Sequence, residues 1–309
     1  MSFLSLSALP QALLSPVVSS ERKYPVASIK LPDTSIKTNL LWEKLKEHTE
    51  SALIPRMTLQ LLDQAIYPLI PYPVPTAIGG LHANLLFVQH QGIAALLDSP
   101  AFVAGQYPSK GTSEAFLRYL HEHSFSAVDL TQASKDIAST GTYYPEERQT
   151  MTLGSVIISH LFTAENDGIP YYTYETRVGD TRRTILRMHF KDWPDGSAVD
   201  VLTLERILQT IQRLGTHIFV HCIAGLGRTG TVITAFLLEK MLIQEIKDQG
   251  RCAPLQIDAF LLKLIPLLRM QRGPHFIMEE SQLDLIRQYG YHVLIKNNII
   301  KDIAYLPQL

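Results

Sequence analysis

His221-Cys222-Ile223-Ala224-Gly225-Leu226-Gly227-Arg228-Thr229-Gly230 places a cysteine and an arginine at the two ends of a glycine-rich loop. The residues before it, Ile218-Phe219-Val220-His221, read as a buried strand, and Thr231 to Leu242 read as an apolar helix. A cysteine between a strand end and a helix start has its anionic sulfur favoured by the helix dipole. Successive backbone N–H groups of a glycine-permitted loop curl around an anion, so a phosphate is the natural occupant. Arg228 adds a planar fork of donors that matches two phosphate oxygens at once. The stretch offers a nucleophile and an anion cradle together.

Gly225, Gly227 and Gly230 also spell the dinucleotide-binding G-x-G-x-x-G in a strand–loop–helix setting. That reading needs a short helix and a second strand ending in an acid about twenty residues on. Phe236 to Lys247 instead continues as helix, with Glu245 inside it. A reading of Cys222 as no more than a small buried hydrophobe leaves the spacing to Arg228 unexplained. The cysteine loop resembles the signature loop of the protein tyrosine phosphatases, a cysteine-dependent phosphatase superfamily.

A second motif agrees with that resemblance. Arg187-Met188-His189-Phe190-Lys191-Asp192-Trp193-Pro194-Asp195-Gly196 resembles the family's tryptophan–proline–aspartate loop. Alone, Trp-Pro-Asp-Gly would be ordinary turn chemistry. Beside the cysteine loop, Asp195 becomes the candidate acid for the leaving group. Pro194 and Gly196 would hinge its loop and Trp193 would anchor it. The resemblance places Asp192 before the loop, as a solvated neighbour.

Weaker matches extend along the chain. Phe102-Val103-Ala104-Gly105-Gln106-Tyr107-Pro108, then Thr112, Phe116 and Leu117, resembles a family strand and its following helix. Tyr143-Tyr144-Pro145 resembles the family's Tyr-Trp-Pro. Leu153 to Ile158 alternates like a strand edge, and Tyr171 to Val178 and Thr184 to Met188 read as strands joined through Gly179-Asp180. Asp258 to Arg269 reads as a helix that Pro266 should kink or split. Met270-Gln271-Arg272-Gly273-Pro274 after it resembles the family's Arg-x-Gln-Arg-Pro-Gly, with Gly and Pro exchanged. The family then supplies a water-orienting glutamine, for which Gln282 is the match after one inserted residue; a second family glutamine falls on Met278.

The chain departs from the family in two places. The Asn-Arg-Tyr segment whose tyrosine walls a deep cleft is matched by Pro55-Arg56-Met57, leaving Tyr67 or Tyr72 as substitutes. The acid that braces the signature arginine is missing where Ser134-Lys135 stands, with Asp136 beside it.

Composition excludes several classes. The chain has 309 residues, 46% hydrophobic, and a net charge of −1, which gives no bulk pull toward nucleic acid or anionic membrane. Lys and Arg are dispersed, with no basic run to track nucleic acid. No stretch approaches the roughly 18 apolar residues of a membrane helix. Cys222 and Cys252 make no disulfide framework, and Cys252 reads as a loop bystander with a redox partnership as the alternative. His121-Glu122-His123 lacks further ligands at metal spacing and reads as a solvated helix end. Residues 1–38 read as a flexible leader without a secretory signal's positive start, and the first helix as Leu40 to Thr49, with Leu41, Trp42 and Leu45 on one face.

The expected fold is α/β, a single domain with a twisted mixed β-sheet flanked by helices on both sides. The expected limits are residues 39–295 for a tyrosine-phosphatase-like catalytic domain and 296–309 for a C-terminal tail. Val201 to Leu214 is its helix before the signature strand, ended by Gly215 as a left-handed cap. The resemblance implies hydrolysis of phosphotyrosine on proteins through a cysteinyl-phosphate, with no metal or cofactor. Cys222 attacks, Arg228 and the amides from Ile223, Ala224, Gly225, Leu226 and Gly227 to Arg228 hold the phosphoryl group, and Asp195 protonates the leaving group. Gln282 orients water, Thr229 donates to the thiolate, and His221 holds the loop. Alternatives are a dual-specificity or phosphoinositide phosphatase and, in another class, a phosphoprotein-binding module with little turnover. The expected setting is cytoplasmic, with export as a bacterial effector as the alternative and a phosphotyrosine-containing protein as partner.

Overall fold

In the computed structural model, residues 35–52, 81–86, 100–132 and 141–300 are described. Among them the order is α1 (Ser35–Ala52), β1 (Ala83–Leu86), β2 (Ala101–Gln106), α2 (Ser113–His123), β3 (Ser126–Asp129), β4 (Thr150–Leu153), β5 (Val156–Asn166), β6 (Ile169–Val178) and β7 (Thr181–His189). There follow α3 (Val201–Arg213), β8 (His217–Cys222), α4 (Gly227–Gln249), α5 (Leu255–Arg272) and α6 (Glu280–Lys296). The sheet runs β1-β2-β8-β3-β7-β6-β5-β4. Its centre, β2-β8-β3-β7, is parallel, and β1 and the β4–β7 meander are antiparallel.

A strand buried on both faces sends alternate side chains to opposite layers. β8 does this, with Ile218 and Val220 in the core under α1, α3, α4, α5 and α6, and Phe219 in the core under α2. The expected mixed sheet with helices on both sides is therefore present. In α3, Val201, Leu204, Leu208 and Ile211 are buried together, Asp200 caps the first turn by accepting from Thr203 N, and Gly215 follows at φ +107°.

Several boundaries differ from the sequence reading. α1 begins at Ser35, inside the segment read as leader, because Thr38 is buried and polar: its hydroxyl donates to Asp284 and accepts from Arg287. Leu153 to Ile158 is not one strand edge but the end of β4, a Gly154-Ser155 turn and the start of β5. α5 runs unbroken through Pro266, held by Leu264, Ile265 and Leu268 in the core. His121 is buried rather than solvated, its two ring nitrogens meeting the hydroxyls of Thr176 and Thr181. Cys252 lies on a loop but is buried, and burial pushes its thiol up to about 11.

Candidate active site

β8 lies between β2 and β3 in the parallel centre, so its carboxyl end delivers Cys222 to the edge where open α/β sheets form clefts. The loop beyond it is shaped by what its carbonyls bind. Ile223 O accepts from Tyr107 N, Ala224 O and Gly225 O from Arg272, and Leu226 O from Gly230 N and Ile277 N. In a trans peptide each C=O points opposite the next N–H. Carbonyls drawn outward thus turn the amides of Ala224 to Gly227 toward the bowl, and Gly225 N–H lies 3.3 Å from Cys222 Sγ. Gly225 sits at φ +71°, and a Cβ there would stand 2.0 Å from Gly105 O. No other residue fits that turn.

Arg228 opens α4 and is buried. Its Nη1 donates to Trp193 O and its Nη2 to Asp195 Oδ1, each at 2.9 Å. The Trp193–Asp195 segment is thus closed over the loop, with the Asp195 carboxylate on Arg228. Asp195 is otherwise open to solvent, its side chain 70% exposed, while Trp193 is wholly buried and donates to Ser197 O. Asp192 is exposed, as expected of a solvated neighbour.

Gln282 is buried in the first turn of α6, where its Oε1 accepts from Met278 N and Glu279 N. Its Nε2 donates to Ser197 O, and a Cβ on Gly227 would come within 3.0 Å of that nitrogen. It therefore bridges α6, the acid loop and the signature loop, while Met278 is exposed. Thr229 is fully buried, and its hydroxyl has no hydrogen-bond partner.

Behind the loop lies a polar cluster whose roles the sequence did not disclose. His221 Nε2 is 2.8 Å from the Tyr143 hydroxyl, which also receives Arg187 Nε at 3.1 Å. Arg187 Nη2 meets Asp129 Oδ2 at 2.6 Å. In sequence, Arg187 stands only at the start of the Trp-Pro-Asp motif and Arg272 only within a family stretch. A lone aspartate in the apolar run Ser126-Ala127-Val128-Asp129-Leu130 was the available signal for a buried carboxylate. Pro55-Arg56-Met57, Tyr67, Tyr72, Ser134-Lys135 and Asp136 lie outside the described residues. No group of three or more metal-ligating side chains occurs among the described residues, so His121 and His123 do not form one.

Burial lowers the His221 imidazole from 6.5 to about 4, Arg187 adding to the effect and Asp129 opposing it. Between those values the unfolded chain binds a proton that the folded chain refuses. Stability should fall as pH drops from about 6.5 toward 4, by on the order of 3 kcal/mol from this ring. His121, His189 and His275 are shifted the same way, each first by burial. Urea midpoints measured across that window check this, and a flat profile would exclude it.

Residues 81–290 match the family model described as protein-tyrosine phosphatase. The chain is 32% identical over 197 residues to tyrosine-protein phosphatase non-receptor type 23 of Mus musculus, covering 60% of this chain and 11% of that protein. It is 24% identical over 271 residues to receptor-type tyrosine-protein phosphatase S of Gallus gallus, covering 81% of this chain and 16% of that one. The chain thus spans a small part of the length of these relatives. A solved structure of PTPN18 in complex with HER2-pY1196 phosphopeptides shares the fold, with a TM-score of 0.63 at 17% identity over 83% of this chain and 93% of that one.

Proposed function

The chain belongs to the protein-tyrosine phosphatase family, and from that premise we propose that it hydrolyses phosphotyrosine on proteins through a cysteinyl-phosphate. The observation that carries this reading is the closed arrangement of Cys222, Arg228 and Asp195 around one cradle. Arriving phosphate displaces the Asp195 carboxylate from Arg228 and binds the loop amides. Freed from the arginine and set beside the phosphoryl dianion, Asp195 takes up a proton from solvent. The Cys222 thiolate attacks phosphorus, an S–P bond forms as the P–O bond to tyrosine breaks, and Asp195 gives its proton to the leaving phenoxide. Water, oriented by Gln282, then attacks phosphorus. Asp195 takes its proton, the S–P bond breaks, and Thr229 donates to the departing thiolate.

The contrary class, a binding module with little turnover, would be expected to have lost one of these three residues, and all are in place. A thiolate nucleophile works in a reducing compartment, which supports a cytoplasmic setting. Among the described residues no helix is long and apolar enough to cross a membrane.

Selectivity follows from the loop. Ile223, Ala224 and Leu226 carry no charge, so the cradle holds one phosphate and gains little from a second. Phosphotyrosine peptides should exceed phosphoinositides in kcat/KM, with phosphothreonine excluded less strictly than by a deep aromatic wall. A panel of phosphopeptides and phosphoinositides tests both statements, and a phosphoinositide at the top would overturn the substrate class.

A further inference from the structure

Asp129 and Arg187 form an ion pair with almost no exposure, side chains 0% and 2% accessible. Burying two charges costs several kcal/mol per ion, and such a pair adds little stability over apolar replacements. Its place in the fold suggests another use. Asp129 lies opposite His221 in the β3–β8 register, and Leu130 N donates to His221 O. The residue after His221 is the nucleophile.

Both carboxylate oxygens of Asp129 are committed. Asp129 Oδ1 accepts from Thr131 N at 2.9 Å and Thr131 Oγ1 at 2.6 Å, and lies 3.8 Å from His221 Nδ1. Asp129 Oδ2 accepts from Arg187 Nε at 3.2 Å and from Nη2 at 2.6 Å. The guanidinium is covered by the Tyr144 ring, 3.6 Å from its centroid, with Tyr172 at 5.2 Å. Arg187 Nε also donates to the Tyr143 hydroxyl, which favours that hydroxyl turning its own proton to His221 Nε2. The ring proton then sits on Nδ1, which has no hydrogen-bond partner and faces the carboxylate. The charge pair thus selects one tautomer of the histidine.

We propose that Asp129 and Arg187 are a positioning pair for the nucleophile: they set the charge and tautomer of His221 and, by the same net charge acting on the strand end, the pH range in which Cys222 reacts. The proposal rests on Cys222 being the reactive residue of the proposed function. The other groups facing His221 are Tyr107 after β2, His189 on β7 and Arg228 on α4, with Phe116 and Phe219 as apolar walls. Burial and the charges of Arg187, His189 and Arg228 disfavour an imidazolium, and Asp129 favours one. The two members of the pair therefore act on His221 with opposite sign. Intact, they oppose one another and burial keeps the ring neutral beside the cradle. Broken, they leave a net charge next to the strand that carries Cys222.

The test compares wild type, Asp129→Asn, Arg187→Gln and the double variant. The readouts are the His221 ring titration by NMR and the pH dependence of Cys222 alkylation by iodoacetamide. Neither needs turnover, so failure of the phosphatase reading would show separately, as alkylation without hydrolysis. Arg187→Gln should raise the His221 midpoint and move the alkylation profile up by about one pH unit, and Asp129→Asn should move both down. The double variant, neutral like the native pair, should return close to wild type. If Arg187→Gln does not fold, Asp129→Asn and the double variant decide, since replacing both partners removes the unpaired charge. Profiles that coincide in all folded variants, with stability alone altered, would make the pair a structural strut and overturn the proposal.

Discussion

Cys222→Ser is expected to abolish turnover, with a loss on the order of 10⁶-fold, the scale seen when a nucleophile is deleted from an otherwise intact enzyme site. The substitution exchanges one small buried atom for another, so the bowl should persist. Its shape comes from Tyr107, Arg272, Gly230 and Ile277 holding the loop carbonyls, and none of these contacts involves the sulfur. What changes is the chemistry at the floor. The cradle stabilises an anion, and a thiol yields one near neutral pH far more readily than a hydroxyl does. Phosphotyrosine peptide binding should survive, because Arg228 and the loop amides remain. The check is kcat on an aryl phosphate beside a peptide Kd from titration. Retained activity would falsify the cysteinyl-phosphate route, while lost binding would show that the variant had lost the bowl itself.

How far the sequence disclosed this site depends on the range of each interaction. Cys222 and Arg228 were legible because a strand, a turn and a helix start impose their spacing locally. Asp195 entered as a candidate because a second motif offers the acid that the first lacks. β8 and α3 were legible from their apolar periodicity, the first alternating between two cores and the second burying one stripe. Contacts between distant polar groups left no such periodic trace. Thr38 meets Asp284 across 246 positions, and Arg187 meets Asp129 across 58. Nothing near Ser35 announces a helix start, since the anchor lies in α6. Arg272 likewise donates to loop carbonyls 47 and 48 positions earlier, and its role emerges from the folded register. Gln282 was read as a match needing an insertion. Its side chain lies beside Ser197 and Gly227, a position that spacing alone could not disclose.

Asp195→Ala should depress kcat by the ~10²–10⁴-fold typical of general acid–base catalysis while leaving binding intact or stronger. The binding half of this expectation comes from the contact between Asp195 Oδ1 and Arg228 Nη2 at 2.9 Å. In the closed cradle the carboxylate occupies a donor that a phosphoryl oxygen needs, so its removal frees that donor and removes an anion from a site built for another. The catalytic half comes from the leaving group. An ordinary tyrosine phenoxide departs poorly without a proton, whereas a strongly acidic phenol departs without help. The defect should therefore shrink when the substrate is an aryl phosphate with an acidic phenol, a trend that a misfolded loop would not produce. Asp192→Ala is the matched control, since Asp192 is solvent-exposed on the same segment. Its kcat should stay within the small range of ordinary surface changes. If Asp192→Ala were the more damaging of the two, or if the Asp195→Ala defect ignored the leaving group, the acid would have been assigned to the wrong residue.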